Sequence, residues 1–270
     1  MKAKRYLLLA LLPLLALLYS CDMQQDVEVD LPSYTPQLVV ECYLEPGKPM
    51  RMTVLESSSY FEAPQPGIVA DAKVHIMHQG HTSELLYKPT YDEQTGRLYT
   101  HVSSDIMEGK PGDVYYLEVT DDLGRKVTGT TTILPQVPID TIEWNFNDKD
   151  EAYLYTSFQD NAVTEDYYRY FVHQDSLHTD PKQISLVSDK LTNGNRTVFN
   201  SAYNYGWGDV LIVTLFHVEK QYYDYLLSTS NARNANGNPF AQPAQIKSSV
   251  QGGIGIFTNL AFDRKVVIVQ

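Results

Sequence analysis

Three histidines at intervals of three residues form the most metal-like feature of the sequence. His75, His78 and His81 lie in the segment KVHIMHQGH, and imidazole nitrogens are common zinc ligands. Successive side chains of a β-strand point to opposite faces, so His75 and His78 point away from each other. His81 follows the Gln79-Gly80 turn. Because the three imidazoles cannot converge without a bulge, the pattern favours surface histidines around a hairpin.

An oxygen-rich segment is the second place where a metal could bind. The side-chain oxygens belong to Asn145, Asn147, Asp148, Asp150 and Glu151. Calcium loops use such ligands, but they also need a glycine for their sharp turn, and this segment has none. The composition favours a solvated polar loop, so we predict no metal site and no cofactor.

Catalytic motifs are missing from the sequence. It contains no GxSxG, no HExxH and no CxxC, the patterns of common nucleophilic, metal-dependent and redox sites. Cys42 lies in a predicted strand with no histidine near it. Paired carboxylates could hydrolyse a substrate, but their separation cannot be read from a sequence. We predict a protein that is not an enzyme, with a hydrolase of unrecognised site as an alternative.

An aromatic run is the best candidate for a binding surface. Tyr203, Tyr205 and Trp207 occupy alternate positions and share one face if the chain is extended. Such rings stack on sugars or on peptide side chains. Gly206 and Gly208 weaken strand character and favour an exposed loop. We predict a surface for a partner protein or for a glycan or peptide ligand. The alternative is that the rings cover their own sheet or an interface between domains.

The N-terminus has the features of a secretory signal. A basic start precedes an uncharged apolar run over residues 6–18. A spanning helix needs ~20 apolar residues, so residues 1–20 are predicted to be a cleaved signal peptide. The segment Leu18-Tyr19-Ser20-Cys21 resembles the lipobox of bacterial lipoproteins, which implies that Cys21 is lipidated and anchors the protein to a lipid bilayer. The alternative is an ordinary signal peptide with an incidental cysteine.

Residues 21–36 are predicted to be an acidic tether. Asp22, Asp26, Glu28 and Asp30 give this segment its charge. Such a composition permits a solvated linker. It also resembles the export signal that sends some Bacteroidota lipoproteins to the outer face of the outer membrane. The two interpretations are compatible.

Charge and cysteine count limit the remaining function classes. The formal net charge is −12, and loss of the signal peptide makes it three charges more negative. Nucleic acid is not expected as a partner, because its binding requires Lys and Arg to neutralise phosphates. With Cys21 acylated, Cys42 has no disulfide partner. No segment after residue 21 is apolar enough to span a membrane.

Alternating apolar residues predict a mainly β protein. The clearest strand is VYYLEVTD, where Tyr115, Leu117 and Val119 share one face. The Pro-Gly turn before it, followed by a tyrosine, resembles the late strand of fibronectin-type and other immunoglobulin-like sandwiches. Several strands at this spacing predict an immunoglobulin-like β-sandwich over residues 37–135.

A second β-rich domain is predicted over residues 138–270, after a junction bracketed by Pro135 and Pro138. Gly208-Asp209 precedes VLIVTLFHV much as Gly112-Asp113 precedes VYYLEV, although the two halves are not a sequence repeat. Apolar residues at helical spacing predict one amphipathic helix near residues 218–230. We expect this helix to pack on the second sheet.

Several motifs together resemble the domain of unknown function 4249 family of Bacteroidota. In the C-terminal third they are Asp209-Val210 and residues 222–226, 238–243 and 252–257. In the N-terminal part they are the lipobox, residues 38–41, Pro46-Gly47, Gly112, and residues 133–135 and 138–140. The resemblance covers essentially the whole mature chain.

This resemblance implies a location and a partner, but no chemistry. Members look like outer-membrane lipoproteins whose genes often lie beside TonB-dependent transporters. It therefore implies a lipid-anchored accessory protein, exposed at the cell surface, that helps such a transporter to capture or admit a nutrient. The alternative is a structural or adhesive surface protein that uses immunoglobulin-like modules as spacers.

Overall fold

The computed structural model describes residues 34–59, 67–93, 96–236 and 244–270. Within them the strands are, in chain order, β1 (Leu38–Leu44), β2 (Pro49–Glu56), β3 (Gly67–Ile68), β4 (Lys73–His78), β5 (His81–Asp92), β6 (Arg97–Ile106), β7 (Val114–Thr120), β8 (Lys126–Thr132), β9 (Thr141–Phe146), β10 (Ala152–Gln159), β11 (Tyr167–Gln174), β12 (Gln183–Ser188), β13 (Arg196–Asn200), β14 (Val210–Val218), β15 (Val250–Gln251), β16 (Ile254–Asn259) and β17 (Ala261–Ile268). One helix, α1 (Lys220–Ala235), lies between β14 and β15. The prediction of a mainly β protein is confirmed.

The largest sheet has ten strands in the order β15-β8-β7-β4-β5-β6-β2-β1-β16, with β3 on β2. The long strand β5 pairs first with β4 and then with β6, and its register shifts between Tyr87 and Thr90. β5 therefore connects two halves of the sheet, one formed by β15, β8, β7 and β4 and the other by β6, β2, β1 and β16. Strands β1, β2, β4 and β7 bury every second residue, as in the LVVECYL of β1. The buried side chains of both halves form one hydrophobic cluster.

A turn of glycines joins the two ends of this sheet. β15 pairs with β8 at one end and β16 pairs with β1 at the other, while only Gly252 and Gly253 separate β15 from β16. A Cβ on Gly252 would lie 2.1 Å from the carbonyl oxygen of Lys126, and one on Gly253 would lie 2.5 Å from that of Leu38. No side chain fits where the two edges come so close.

Two smaller sheets share a second core. Their strand orders are β13-β10-β9 and β12-β11-β14-β17. Aromatic residues of both sheets fill the space between them, including Phe158, Tyr168, Tyr170 and Phe199. Phe158 meets Tyr168 at a centroid distance of 4.6 Å, and Tyr170 stacks on Phe199 at 4.3 Å. These buried rings account for part of the high tyrosine content of the chain.

The predicted junction at residues 135–138 lies between β8 and β9. Strands β9 to β14 and β17 belong to the smaller sheets, but β15 and β16 return to the large sheet. Pro36–Gln270 forms one compact unit, and Met1–Thr35 is a separate unit of which only Tyr34 and Thr35 are described. Two strands from the predicted domain 138–270 thus belong to the sheet of the predicted domain 37–135. The sequence did not indicate this return of the chain.

The helix predicted near residues 218–230 is present as α1, two residues later at its start and five at its end. Tyr222 and Tyr225 are buried, as the helical spacing indicated. The expectation that α1 packs on the second sheet was incomplete, because α1 contacts β16 of the large sheet as well as β11. Tyr222 meets Tyr43 of β1 edge-on at 5.7 Å. The return of β16 places the large sheet beside the helix.

Two Gly-Asp turns have the same hydrogen bonds in the two halves of the chain. The N–H of Gly112 donates to the Ile133 carbonyl, and the Ile133 N–H donates to the Asp113 carbonyl, at 2.8 and 2.9 Å. Gly208-Asp209 and Val269 repeat this pair of bonds at 2.7 and 3.0 Å. Both glycines have a positive φ, which favours glycine. The similarity seen in the sequence therefore reflects one local turn used twice.

Removal of the Tyr115 hydroxyl is expected to destabilise the turn before β7. The hydroxyl donates to the Glu108 carbonyl and accepts from the Glu108 N–H, and Tyr115 is 2% exposed. Tyr115→Phe should lower the free energy of unfolding by about 1–3 kcal/mol, because both hydrogen bonds to the Glu108 backbone are lost. Urea denaturation measures this loss. Tyr116→Phe, on the exposed face, is the control, and equal losses in both variants would contradict the expectation.

Candidate functional site

The predicted lipid anchor lies outside the described residues. The signal peptide 1–20, Cys21 and the tether up to residue 33 belong to this part of the chain. Lipidation and tethering therefore stay predictions. The described residues contain no helix that is long and apolar enough to cross a membrane.

The aromatic run does not form one exposed face. Tyr203 is 47% and Trp207 is 74% exposed, but Tyr205 is 2% exposed and belongs to the core between the smaller sheets. The backbone of Tyr205 bridges to Ala152, with N···O distances of 2.7 and 3.3 Å. Outside this isolated bridge the run is not a strand, so side chains two residues apart do not share a face.

Each exposed ring of this run rests on another aromatic ring. Trp207 stacks on Phe146 at a centroid distance of 5.9 Å, and Tyr203 meets Tyr153 edge-on at 5.3 Å. Phe146 is half-buried against the second core. A large exposed ring supported in this way loses little conformational entropy when it binds, and tryptophan is enriched at the centres of protein interfaces. Trp207 is therefore the best candidate for a contact residue.

A groove of about 690 Å³ lies on the large sheet. Its polar lining residues include His78, His81, Ser83, Asp105, Lys110 and Asp113. His78 stacks on Tyr115 at 4.2 Å and lies 3.4 Å from the Asp113 carboxylate. A backbone hydrogen bond from Lys110 and the nearby His78 lower the pKa of Asp113.

The order of groups in this groove differs from that of a serine hydrolase. Asp105 accepts hydrogen bonds from Ser83 and from His81, whose Nε2 is 3.2 Å away, and these bonds lower the pKa of Asp105. In a catalytic triad the histidine lies between the serine and the carboxylate, so that it can remove the serine proton. Here the carboxylate lies between the other two. This arrangement places no histidine beside the Ser83 hydroxyl.

The three histidines lie on opposite faces of the sheet. His78 and His81 are cross-strand partners and both line the groove. His75 lies opposite Glu84 on one side and Glu118 on the other. The imidazoles of His75 and His81 therefore do not meet.

Side chains of the oxygen-rich segment stabilise the turn that this segment forms. Asn147 Oδ1 accepts the N–H groups of Lys149 and Glu151 at 2.9 and 3.0 Å, and Asn147 Nδ2 donates to the Glu151 carboxylate at 2.9 Å. Asparagine often stabilises turns in this way. The polar composition is thus explained by the β9–β10 hairpin.

Cys42 lies in the core of the large sheet. It is fully buried, and burial raises the pKa of its thiol. A thiolate is the reactive form of cysteine. Cys42 consequently has the environment of a core residue and not that of a nucleophile.

The family of the chain follows from a comparison with family models. The model described as "Domain of unknown function (DUF4249)" matches residues 24–265, most of the chain. The chain belongs to this family. No curated protein matches it. The resemblance inferred from the motifs is thus confirmed.

The fold gives physical reasons for several motifs that carried the resemblance to DUF4249. Residues 252–257 form the glycine turn and the start of β16 that join the ends of the large sheet. Gly112 has the positive φ of the turn before β7. Tyr222 and Tyr225 supply the buried face of α1. The motif at residues 238–243 lies outside the described residues.

One group of buried acidic side chains in this DUF4249 chain could not be predicted from the sequence. Asp160, Asp166 and Asp189 are all buried, and their carboxylates come together. Asp160 and Asp166 bound the loop between β10 and β11, and Asp189 follows β12. No sequence spacing relates Asp189 to the other two aspartates.

Proposed function

We propose that this DUF4249 chain is a lipid-anchored outer-membrane protein without catalytic activity that assists nutrient uptake by a TonB-dependent transporter. The observation that carries the proposal is Trp207, an exposed tryptophan supported by Phe146. Tryptophan and tyrosine concentrate binding energy at protein interfaces. The transporter is named as the partner because of what the family resemblance implies.

The anchor part of this proposal rests on the sequence before the described residues. Several acyl chains on Cys21 would hold the protein at the bilayer, since each buried methylene contributes ~0.8 kcal/mol. The acidic tether that follows would give the remaining chain reach from the membrane. A glycan or peptide bound beside Trp207 is compatible with this role, because the same ring can stack on either.

We also propose that residues 37–135 adopt an immunoglobulin-like sandwich. The order β1-β2-β6-β5 corresponds to strands A, B, E and D of that fold, and β4-β7-β8 corresponds to C, F and G. Tyr115 near the start of β7 bonds to the backbone of Glu108, which is the arrangement of a tyrosine corner. Such modules suit a binding or a spacing role, so fold alone does not decide between them.

Two other functions compete with the proposal. A structural or adhesive surface protein would use the same sandwiches as spacers and would not need Trp207. A hydrolase would need an activated nucleophile, and the Ser83-Asp105-His81 order in the groove does not supply one. Turnover of a glycan or peptide by the purified protein would support the hydrolase.

The proposal is tested by isolating the protein with its partners. Tagged protein is purified from outer membranes in mild detergent, and co-purifying proteins are identified by mass spectrometry, with Cys21→Ala as the control. Stoichiometric recovery of a TonB-dependent transporter that is lost in the control supports the accessory role. Recovery of the lipidated protein alone contradicts a stable complex and favours the spacer function.

Trp207→Ala is expected to reduce recovery of the transporter at least tenfold without changing stability. Removing one central interface tryptophan typically costs ~2 kcal/mol or more of binding free energy, whereas exposed side chains contribute little to folding. Quantitative mass spectrometry gives the recovery, and thermal unfolding gives the stability. Leu123→Ala is the control, because Leu123 is similarly exposed at 76% on another turn. Equal recovery of the transporter with both variants would show that Trp207 does not contribute to the interface.

A further inference from the structure

Three aspartates from two loops meet below the surface of the smaller sheets. Asp160 and Asp166 lie in the loop between β10 and β11, and Asp189 follows β12. They are 4%, 6% and 2% exposed. One carboxylate oxygen of each lies within 4.8 Å of those of the other two. Buried like charges this close repel one another and require compensation.

The two loops are held together so that the carboxylates have fixed positions. The Gly194 N–H donates to Asp160 Oδ2 at 2.7 Å, and the Asp166 N–H donates to Asp189 Oδ2 at 2.8 Å. A Cβ on Gly194, whose φ is +75°, would lie 2.5 Å from the Cβ of Ala162. The loops therefore approach as closely as glycine permits, and the carboxylates are arranged in advance.

Hydrogen bonding to His217 compensates only one of the three carboxylates in this cluster. His217 Nδ1 lies 2.8 Å from the Pro135 carbonyl, which can only accept, so Nδ1 carries a proton. His217 Nε2 lies 3.1 Å from Asp166 Oδ1, and this bond needs one further proton on either atom. That proton cancels one of the three charges. Within the described residues, the His217–Asp166 pair is the only ion pair that these aspartates form.

One oxygen of the cluster has no hydrogen-bond partner among the residues that the structure describes. Asp189 Oδ1 is buried and accepts no hydrogen bond from them. An unpaired buried carboxylate oxygen is costly. A cation between the three side chains would be bound by this oxygen and would remove that cost.

We propose that Asp160, Asp166 and Asp189 bind one divalent cation, with calcium preferred to magnesium and zinc. Calcium binds oxygen ligands at ~2.3–2.6 Å in a flexible geometry, and oxygens within 4.8 Å of one another can share one such ion. Magnesium demands near-ideal octahedral geometry and usually keeps several waters, which a buried group of carboxylates disfavours. Zinc prefers nitrogen and sulfur, and both nitrogens of His217 are engaged.

The cation would cross-link the β10–β11 and β12–β13 loops. It would also compensate the carboxylates that the hydrogen bond to His217 does not. Because a ligand that binds only the folded state stabilises it by mass action, calcium should raise the melting temperature. This site is independent of the contact assigned to Trp207, and either proposal can fail without the other.

The test uses the full-length protein in mild detergent after removal of divalent ions with a chelator. Isothermal titration with calcium chloride or magnesium chloride measures binding, and thermal unfolding measures the response of Tm. We expect one calcium per chain, weaker binding of magnesium, and a rise in Tm of about 5–10 °C at calcium a hundredfold above its Kd.

The variant Asp189→Asn tests whether Asp189 is a cation ligand or has only a structural role. It removes one charge but keeps an oxygen that can accept the Asp166 N–H. In the chelated state it should unfold at the same or a higher Tm than the unmodified protein, because repulsion is relieved, and it should lose the calcium-dependent rise. Asp148→Asn, in the exposed hairpin loop, should retain both binding and rise. The proposal would be overturned if the unmodified protein showed no saturable calcium binding. It would also be overturned if Asp148→Asn lost calcium binding while Asp189→Asn kept it.

Discussion

Gly255→Ala is expected to abolish folding or to lower the free energy of unfolding by more than about 4 kcal/mol. Gly255 lies opposite Val40, where β16 pairs with β1 in parallel. A Cβ at residue 255 would lie 1.8 Å from the Val40 carbonyl oxygen, and φ is +137°. β1 is paired on its other edge with β2, so it cannot move aside without breaking a second set of hydrogen bonds. Close packing leaves no room to relieve the overlap.

Gly206→Ala provides the matched control for this substitution. Among the residues that the structure describes, no heavy atom lies within 4 Å of a Cβ at residue 206, and the φ of Gly206 is not positive. Alanine at such a site leaves stability unchanged or raises it by up to about 1 kcal/mol, because it restricts the unfolded chain. Soluble yield and urea denaturation, followed by circular dichroism, compare the two variants. Wild-type stability in Gly255→Ala would show that β16 does not pair with β1 in this register.

The strands that could be predicted from the sequence are those with one buried face and a turn signal before them. β7 and β14 follow Gly-Asp turns, and the predicted stretches match their positions. β12 shows no clean alternation of buried and exposed residues, so period two gives no signal there. β16 is buried along almost its whole length and contains Gly255, a pattern that alternation does not detect.

The candidate sites show the same limit of local patterns. The spacing of Tyr203, Tyr205 and Trp207 predicted one shared face, but only a strand would have placed all three rings on it. The bridge of Tyr205 to Ala152 draws the middle ring into the core. The acidic cluster depends on the distance between two loops, which no spacing in the sequence encodes.

A carboxylate at the start of α1 connects the large sheet to the smaller ones. Glu219 occupies the N-cap position of the helix, yet its side chain does not cap it. Instead it accepts the Thr132 N–H at 2.9 Å and the Thr131 hydroxyl, both on β8. Thr131 in turn accepts a hydrogen bond from Asn259 at the end of β16, at 2.7 Å. The network therefore joins β8, β16 and the β14–α1 junction.

Glu219→Ala is expected to lower the free energy of unfolding by about 2–4 kcal/mol. Hydrogen bonds to a charged acceptor contribute more than neutral ones, and the buried donors of Thr131 and Thr132 would be left without a partner. Urea denaturation with a single-transition fit gives the loss. Because the network lies between the two cores, the unfolding transition should also broaden as the cores become less coupled.

Glu143→Ala controls for the loss of a negative charge from a net acidic chain. Glu143 is exposed on β9, so its removal should change stability by less than about 0.5 kcal/mol. If Glu219→Ala loses no more than this control, the carboxylate does not couple the two cores. The packing of α1 on β16 and β11 would then have to hold them together. Gly255→Ala, which displaces β16, would be expected to uncouple the cores as well as destabilise them.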